Sequence, residues 1–283
     1  MTEKTFLAFG EIVWDMLPEG KKLGGAPLNF SYYFQKAGGN PILVSGIGKD
    51  VLGRDALENM RTLGIDTQYV REVDYPTGRV DIILMGKEPS FNVIRGTAWE
   101  DIPYPGDKAV KESSGIYLGT LSRISLQNKN VLDQIMKKMK SKFICLDLNL
   151  RPLFYNREDI ASLLTKVTHL KLNEIEAMTL KKEGFAKGKD EEEILKYLLE
   201  NYNLSACCIT LGDKGVIGGN TKEIIRVKGI LSGLEGDNVG CGDAFTGTWI
   251  ASLLKGKSMI ESMTSANKIA SKVASQRGAI ISL

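Results

Sequence analysis

The chain has 283 residues, 43% of them hydrophobic and 25% charged, with a net charge of only +3. That length allows one large domain or two small ones with a sizeable core, and the small charge, with no long Lys/Arg block, argues against a nucleic-acid partner. The longest apolar stretches fall short of a membrane span, and the opening MTEKTFLAFGEIVWD reads as a first strand rather than a signal peptide.

Short apolar runs alternate with amphipathic stretches along most of the sequence. FLAFG (6–10) predicts a strand, APLNFSYYFQKAGG (26–39) a helix stopped by a glycine pair, and PILVSGIG (41–48) the next strand. From Gly53 to Gly64 the residues Ala56, Leu57, Met60 and Leu63 recur at helical spacing. Further strands are predicted at 115–120, 143–149, 169–173 and 206–212, and helices near 124–140, 157–167, 190–202, 243–255 and 257–277. This rhythm implies an α/β fold with a mostly parallel sheet covered by helices on both faces. Residues 69–97 depart from it. YVREV, GRVDIILMG and SFNVIRG have the chemistry of antiparallel hairpins, which reads either as a lid or as an extension of a sheet edge.

The four cysteines, Cys145, Cys207, Cys208 and Cys241, form no C-x-x-C pair and accompany a single histidine, His169. They predict free thiols in a reducing, cytoplasmic setting and no Cys/His metal site. The lone His169, in a strand-like run, predicts a structural role. In parallel sheets ligands sit beyond the carboxyl ends of the strands. The polar residues at those ends are Glu11 and Asp15, Asn149 and Arg151, Asn173 and Glu176, and Gly212 and Asp213.

GDNVGCGDAF (236–245) places Gly240, Cys241, Gly242 and Asp243 ahead of an apolar run at helical spacing. A helix N-terminus with free backbone N–H groups is an anion site, and glycine lets a ligand approach closely. Asp243 then reads either as a helix-start carboxylate or as a general base.

This stretch resembles the C-terminal signature of the ribokinase-like (PfkB-type) carbohydrate kinases, D-T-x-G-A-G-D, and other segments extend the resemblance. GGAPLN (24–29), DLNLRP (147–152), KLNEIE (171–176) and TLGDKG (210–215) look like further motifs of that family, in its order. GEIVWDMLPEG, GGAPLNF and the Ala98-Trp99 pair look most like its fructokinases. The resemblance implies one kinase domain spanning 1–283, with a small β-sheet lid formed by about 11–23 and 74–100. It implies transfer of the ATP γ-phosphoryl group to a sugar, with fructose O6 the leading acceptor and 2-keto-3-deoxygluconate the main rival. Asp243 is the implied base, and the N–H groups of Gly240, Cys241 and Gly242 hold the transferring phosphoryl. Asp15, Gly24, Gly25, Asn29, Arg79, Asn149 and Arg151 are implied on the sugar side. Lys171, Asn173, Thr210, Gly212, Gly215 and Asn267 are implied on the ATP side, with Mg²⁺ organised by Asn173 and Glu176 through water.

Three departures bear on function. Cys241 replaces the usual alanine, and its place at a helix N-terminus predicts an oxidisable thiol. Asn238-Val239 replaces a threonine pair, which leaves dependence on a monovalent cation (K⁺) open. Arg79 stands where a small residue is usual, and is read as selecting an acidic or phosphorylated sugar or as pointing to solvent. Trp14, Tyr32, Tyr33, Phe34 and Phe91 are candidates for the sugar pocket, with Tyr33 and Phe34 read instead as packing their helix onto the sheet. The edges of the lid offer a surface to a second copy. A non-catalytic binding protein on the same fold is the remote alternative. A nicotinamide-dependent oxidoreductase is excluded, since no G-x-G-x-x-G follows the first strand.

Overall fold

A computed structural model describes residues 4–17, 20–85, 88–151, 153–230, 236 and 238–283. Pro152 and Asp237 of the sequence motifs, and the Phe91 side chain, lie outside the described residues. In chain order the elements are β1 (Thr5–Phe9), β2 (Val13–Leu17), β3 (Gly20–Gly24), α1 (Ala26–Lys36), β4 (Asn40–Gly48), α2 (Val51–Thr62), β5 (Val70–Val73), β6 (Gly78–Met85) and β7 (Glu88–Val93). There follow α3 (Asp107–Glu112), β8 (Ile116–Gly119), α4 (Leu126–Lys138), β9 (Ile144–Asp147), α5 (Arg157–Leu164), β10 (His169–Asn173), α6 (Glu174–Lys182) and α7 (Glu191–Asn201). The last are β11 (Ala206–Thr210), β12 (Gly215–Gly219), β13 (Ile224–Lys228), α8 (Cys241–Leu254) and α9 (Met259–Ala274).

The main sheet has nine strands in the order β13-β12-β11-β10-β9-β8-β1-β4-β5. It is parallel from β11 to β5, with β12 and β13 added antiparallel at one edge. Strand side chains alternate between faces, so β1, buried from Phe6 to Phe9, feeds two cores. Leu7 and Phe9 join the apolar faces of α4, α5 and α7, whereas Phe6 and Ala8 join α1, α8 and α9. His169 is buried and stacks on Phe143 with ring centroids 3.6 Å apart, and burial depresses its pKa to about 3. It is a neutral core residue, as its strand context predicts.

A separate four-stranded sheet, β3-β2-β6-β7, forms the lid. The grouping of YVREV with the hairpins is corrected by the structure. β5 pairs in parallel with β4 in the main sheet, because α2 carries the chain across as another strand-helix-strand step. Only β6 and β7 make the antiparallel hairpin, and β2 pairs in parallel with β6. The periodicity argument also omits α3, α6 and the β12–β13 extension. In α6, Ile175 and Met178 are exposed, so its apolar residues mark no single inner face.

α8 is buried over most of its length, from Ala244 to Ser252. It crosses α1 closely enough that a Cβ on Gly247 would stand 2.7 Å from Phe30 O and 2.9 Å from Phe34 N. Those contacts are backbone and cannot rotate away. Gly247→Val is therefore expected to destabilise the fold by about 1–3 kcal/mol, the usual cost of overpacking, as measured by urea unfolding. Wild-type stability in the variant would refute the close crossing.

Candidate active site

The glycine-rich turn predicted as an anion site closes at Gly240, the N-cap of α8, with φ 78°. Asn238 just before it also has positive φ, 57°, which is uncommon outside glycine. A Cβ on Gly240 would stand 2.6 Å from Ala279 Cα, so the turn is seated on the C-terminal segment. The α1 tyrosines hold that segment from the other side. Tyr33 Oη donates to Ala279 O (2.8 Å) and Tyr32 Oη to Ile281 O (2.9 Å). Cys241, Gly242 and Asp243 form the first helical turn, at the positive end of the helix dipole.

Asp243 is half-buried behind this turn. Asn29 of α1 donates its Nδ2 to Asp243 Oδ2 at 2.8 Å. Burial first, and the neighbouring Asp147 second, push the Asp243 carboxyl up to about 7, although Asn29 and Lys171 favour its charged form. A carboxyl in that range is suited to proton transfer near neutral pH. Glu11, buried beyond the end of β1, is also raised by burial, and its Oε1 accepts from Ala26 N at the start of α1.

Asp147 and Lys171 stand opposite each other on β9 and β10, with Lys171 Nζ 3.0 Å from Asp147 Oδ1. Their side chains are 1% and 6% exposed. Burial pulls the ammonium pKa down, but Asp147, Glu176 and Asp243 more than offset this and leave it raised. Lys171 was assigned from the sequence to ATP. The structure sets it against the anion turn, since a Cβ on Gly242 would meet its Nζ at 2.7 Å. Asp147, present in the DLNLRP motif, was not singled out. The signal that would have found it is its place at the last residue of a fully buried strand.

On the sugar side, Gly24 ends β3 beside Asp15, and a Cβ there would stand 3.1 Å from Asp15 Oδ2. Gly25 caps α1 at φ 118°, close under Ile12. Burial raises the Asp15 carboxyl against the pull of Arg151 and Lys22. Asn149 has φ 39° and accepts from Thr120 Oγ1 through its carbonyl (3.2 Å), while Arg151 is exposed beyond it. Arg79 does not join this group. Register pairs Asp15 with Lys22 and Val80 on one face of the lid, and Trp14 with Leu23 and Arg79 on the other. A strand alternates its side chains, so Arg79 points away from Asp15 and pairs with Asp81 at 3.2 Å. Trp14 shares the far face and donates its indole N–H to Leu52 O, so it does not line a sugar pocket. Phe34 packs in the core between Phe6 and Phe30.

On the nucleotide side, Thr210, Gly212, Gly215, Cys241, Gly242 and Asn267 line one cavity. Asn267 Nδ2 also donates to Lys228 O at the end of β13 (2.9 Å). Asn173 and Glu176 form a capping box on α6. Asn173 Oδ1 accepts from Glu176 N, and Glu176 Oε2 accepts from Asn173 N. Glu176 Oε1 accepts from Leu150 N as well, so both carboxylate oxygens are engaged. No group of three or more His, Cys, Asp or Glu able to hold a metal occurs among the described residues. This donor set fits a hydrated Mg²⁺ held at second hand, not a protein cage.

Residues 7–283 match the family described as pfkB family carbohydrate kinase. The ATP-dependent 6-phosphofructokinase of Thermoanaerobacterium thermosaccharolyticum is 27% identical over 98% of this chain and 90% of its own. The fructokinase of Xylella fastidiosa, solved with bound ATP, superposes with a TM-score of 0.85 at 19% identity, covering 98% of this chain and 94% of that one. A putative ribokinase II of E. coli, solved with ATP and Mg²⁺, has a TM-score of 0.83 at 19% identity, covering 98% and 94%.

Removing the cation would leave Asp147 as an uncompensated buried charge. Lys171→Met is expected to destabilise the protein by about 3–5 kcal/mol, read from denaturant unfolding at pH 8. A loss below about 1 kcal/mol would mean that solvent reaches Asp147.

Proposed function

The chain belongs to the pfkB family of carbohydrate kinases, and from that premise we propose that it transfers the ATP γ-phosphoryl group to O6 of fructose. The observation that carries this reading is Asp243: a half-buried carboxyl in the first turn of α8, oriented by Asn29 and raised to about 7. A sugar hydroxyl placed against it loses its proton to Asp243 as its oxygen bonds to the γ-phosphorus, while the bond from that phosphorus to the β–γ bridging oxygen breaks and ADP leaves with the electron pair. The turn at Gly240–Gly242 receives the charge that develops on the phosphoryl oxygens. Phosphoryl transfer needs positioning and charge stabilisation above all, and this corner of the fold supplies both. Asn173 and Glu176 would hold Mg²⁺ through water, and the ion would supply neutralisation of the phosphate charge.

In this reading 1–283 is one kinase domain, and the lid of about 11–23 and 74–100 brings Asp15 to the sugar hydroxyls. Fructose is favoured over an acidic sugar because Arg79, the residue that argued for one, faces away from Asp15. A second reading rests on Lys22 and Arg151, whose charges act on Asp15 from both sides. They suit an acceptor bearing a carboxylate or phosphate, such as 2-keto-3-deoxygluconate or a sugar phosphate.

A coupled ADP-release assay with Mg²⁺–ATP decides between them. Fructose is expected to give the highest kcat/KM in a panel that includes 2-keto-3-deoxygluconate and fructose 6-phosphate. A higher value on either anionic acceptor would select the second reading. Asp243→Asn is expected to lower kcat by about 10²–10⁴-fold while ATP still binds by calorimetry. Retained turnover in that variant would remove Asp243 from the chemistry.

A further inference from the structure

Asp147 is a buried charge to which the chemistry above gives no role. Asp147 uses both carboxylate oxygens in directions that converge on the anion turn. Its Oδ1 meets Lys171 Nζ at 3.0 Å, and its Oδ2 meets Thr246 Oγ1 at 2.9 Å. Lys171 Nζ abuts Gly242, where a Cβ would collide with it. Thr246 lies one helical turn beyond Gly242, and its hydroxyl is also 2.9 Å from Gly242 O. One carboxylate on the sheet therefore grips the turn twice, through the ammonium beneath it and through the helix that continues it.

We infer that Asp147 is a positioning residue for phosphoryl transfer, fixing the Lys171 ammonium against the anion turn and, through Thr246, the first turn of α8 that carries Asp243. The inference rests on the kinase reading for its reaction, but its geometry stands without it. The absence of a side chain at position 242 then has a reason: it lets the ammonium approach the backbone that receives the phosphoryl group.

The same carboxylate acts on the base. The groups facing Asp243 are Asn29 and Tyr33 from α1, Glu11 beyond β1, Tyr117 from β8, Asp147 from β9 and Lys171 from β10. Of the charged groups among them, Asp147 is the chief one that disfavours ionisation of Asp243. A residue that merely filled space at this position would leave the proton affinity of Asp243 unchanged.

The test compares wild type, Asp147→Asn and Thr246→Val. The pH at which Asp243 loses its proton is read from the carboxyl ¹³C resonance that vanishes in Asp243→Asn, and kcat and KM are measured beside it. In Asp147→Asn the midpoint is expected to fall by about one pH unit. Its kcat is expected to fall by about tenfold or more, with KM for ATP within about twofold, the pattern of an interaction made in the transition state. Thr246→Val keeps the charge, so its midpoint stays while kcat falls about three- to tenfold. An unmoved midpoint in folded Asp147→Asn overturns the inference, as does wild-type kcat in Thr246→Val should Asp147→Asn fail to fold. A wild-type protein inert on every sugar, with the midpoint still shifting in Asp147→Asn, would sink the kinase reading and leave this inference standing.

Discussion

The hydrogen bond from Asn29 to Asp243 joins the two helices on which the site depends. α1 follows the lid strands directly, and α8 carries the anion turn. Their crossing at Gly247, with no side chain between them, brings the Asn29 amide to the Asp243 carboxyl. The Asp243 carboxyl is thereby oriented by one contact, and burial is the largest influence on its proton affinity. The lid enters the same arrangement because β3 runs straight into the Gly25 cap of α1. Acceptor side and transfer site are thus tied by a single helix.

Charge in this pocket is deliberately unbalanced. Asp147, Glu176 and Asp243 gather around one buried ammonium, Lys171, and Glu11 acts on Asp147 and Asp243 from beyond β1. Burial raises Glu11, Glu176 and Asp243, and only the geometry at Asp147 provides a close ion pair. Proteins seldom retain buried carboxyls without partners. Here Glu11 Oε2 and Asn29 Oδ1 are buried with no partner among the described residues. Unsatisfied polar atoms beside a base fit a site built to be completed by its substrate.

Much of this was legible in the sequence. The strand-helix rhythm and the glycine-flanked Asp243 follow from local spacing, and strand ends select Glu11, Arg151 and Asn173; Asp15, expected at a main-sheet strand end, lies instead in the middle of the lid strand β2. What periodicity could not reach depends on neighbours distant in sequence. Asp147 acquires its role only when β9 lies beside β10 and α8 crosses above it. Arg79 was read for its chemistry, but its register against β2 turns it to the other face. Asn173 and Glu176, implied by the resemblance to organise Mg²⁺, form a capping box on α6 that engages both carboxylate oxygens of Glu176. The Tyr32 and Tyr33 clamp on the C-terminal segment spans most of the chain and leaves no local mark.

The pH–rate profile of kcat under saturating Mg²⁺–ATP and sugar tests the central claim most directly. A base that must be ionised, with its carboxyl raised to about 7, predicts that kcat falls about tenfold per pH unit below that point and levels off above it. A profile flat from about pH 5 to 8, where an ordinary carboxylate is already ionised, would contradict the account and return Asp243 to the role of a helix-start residue.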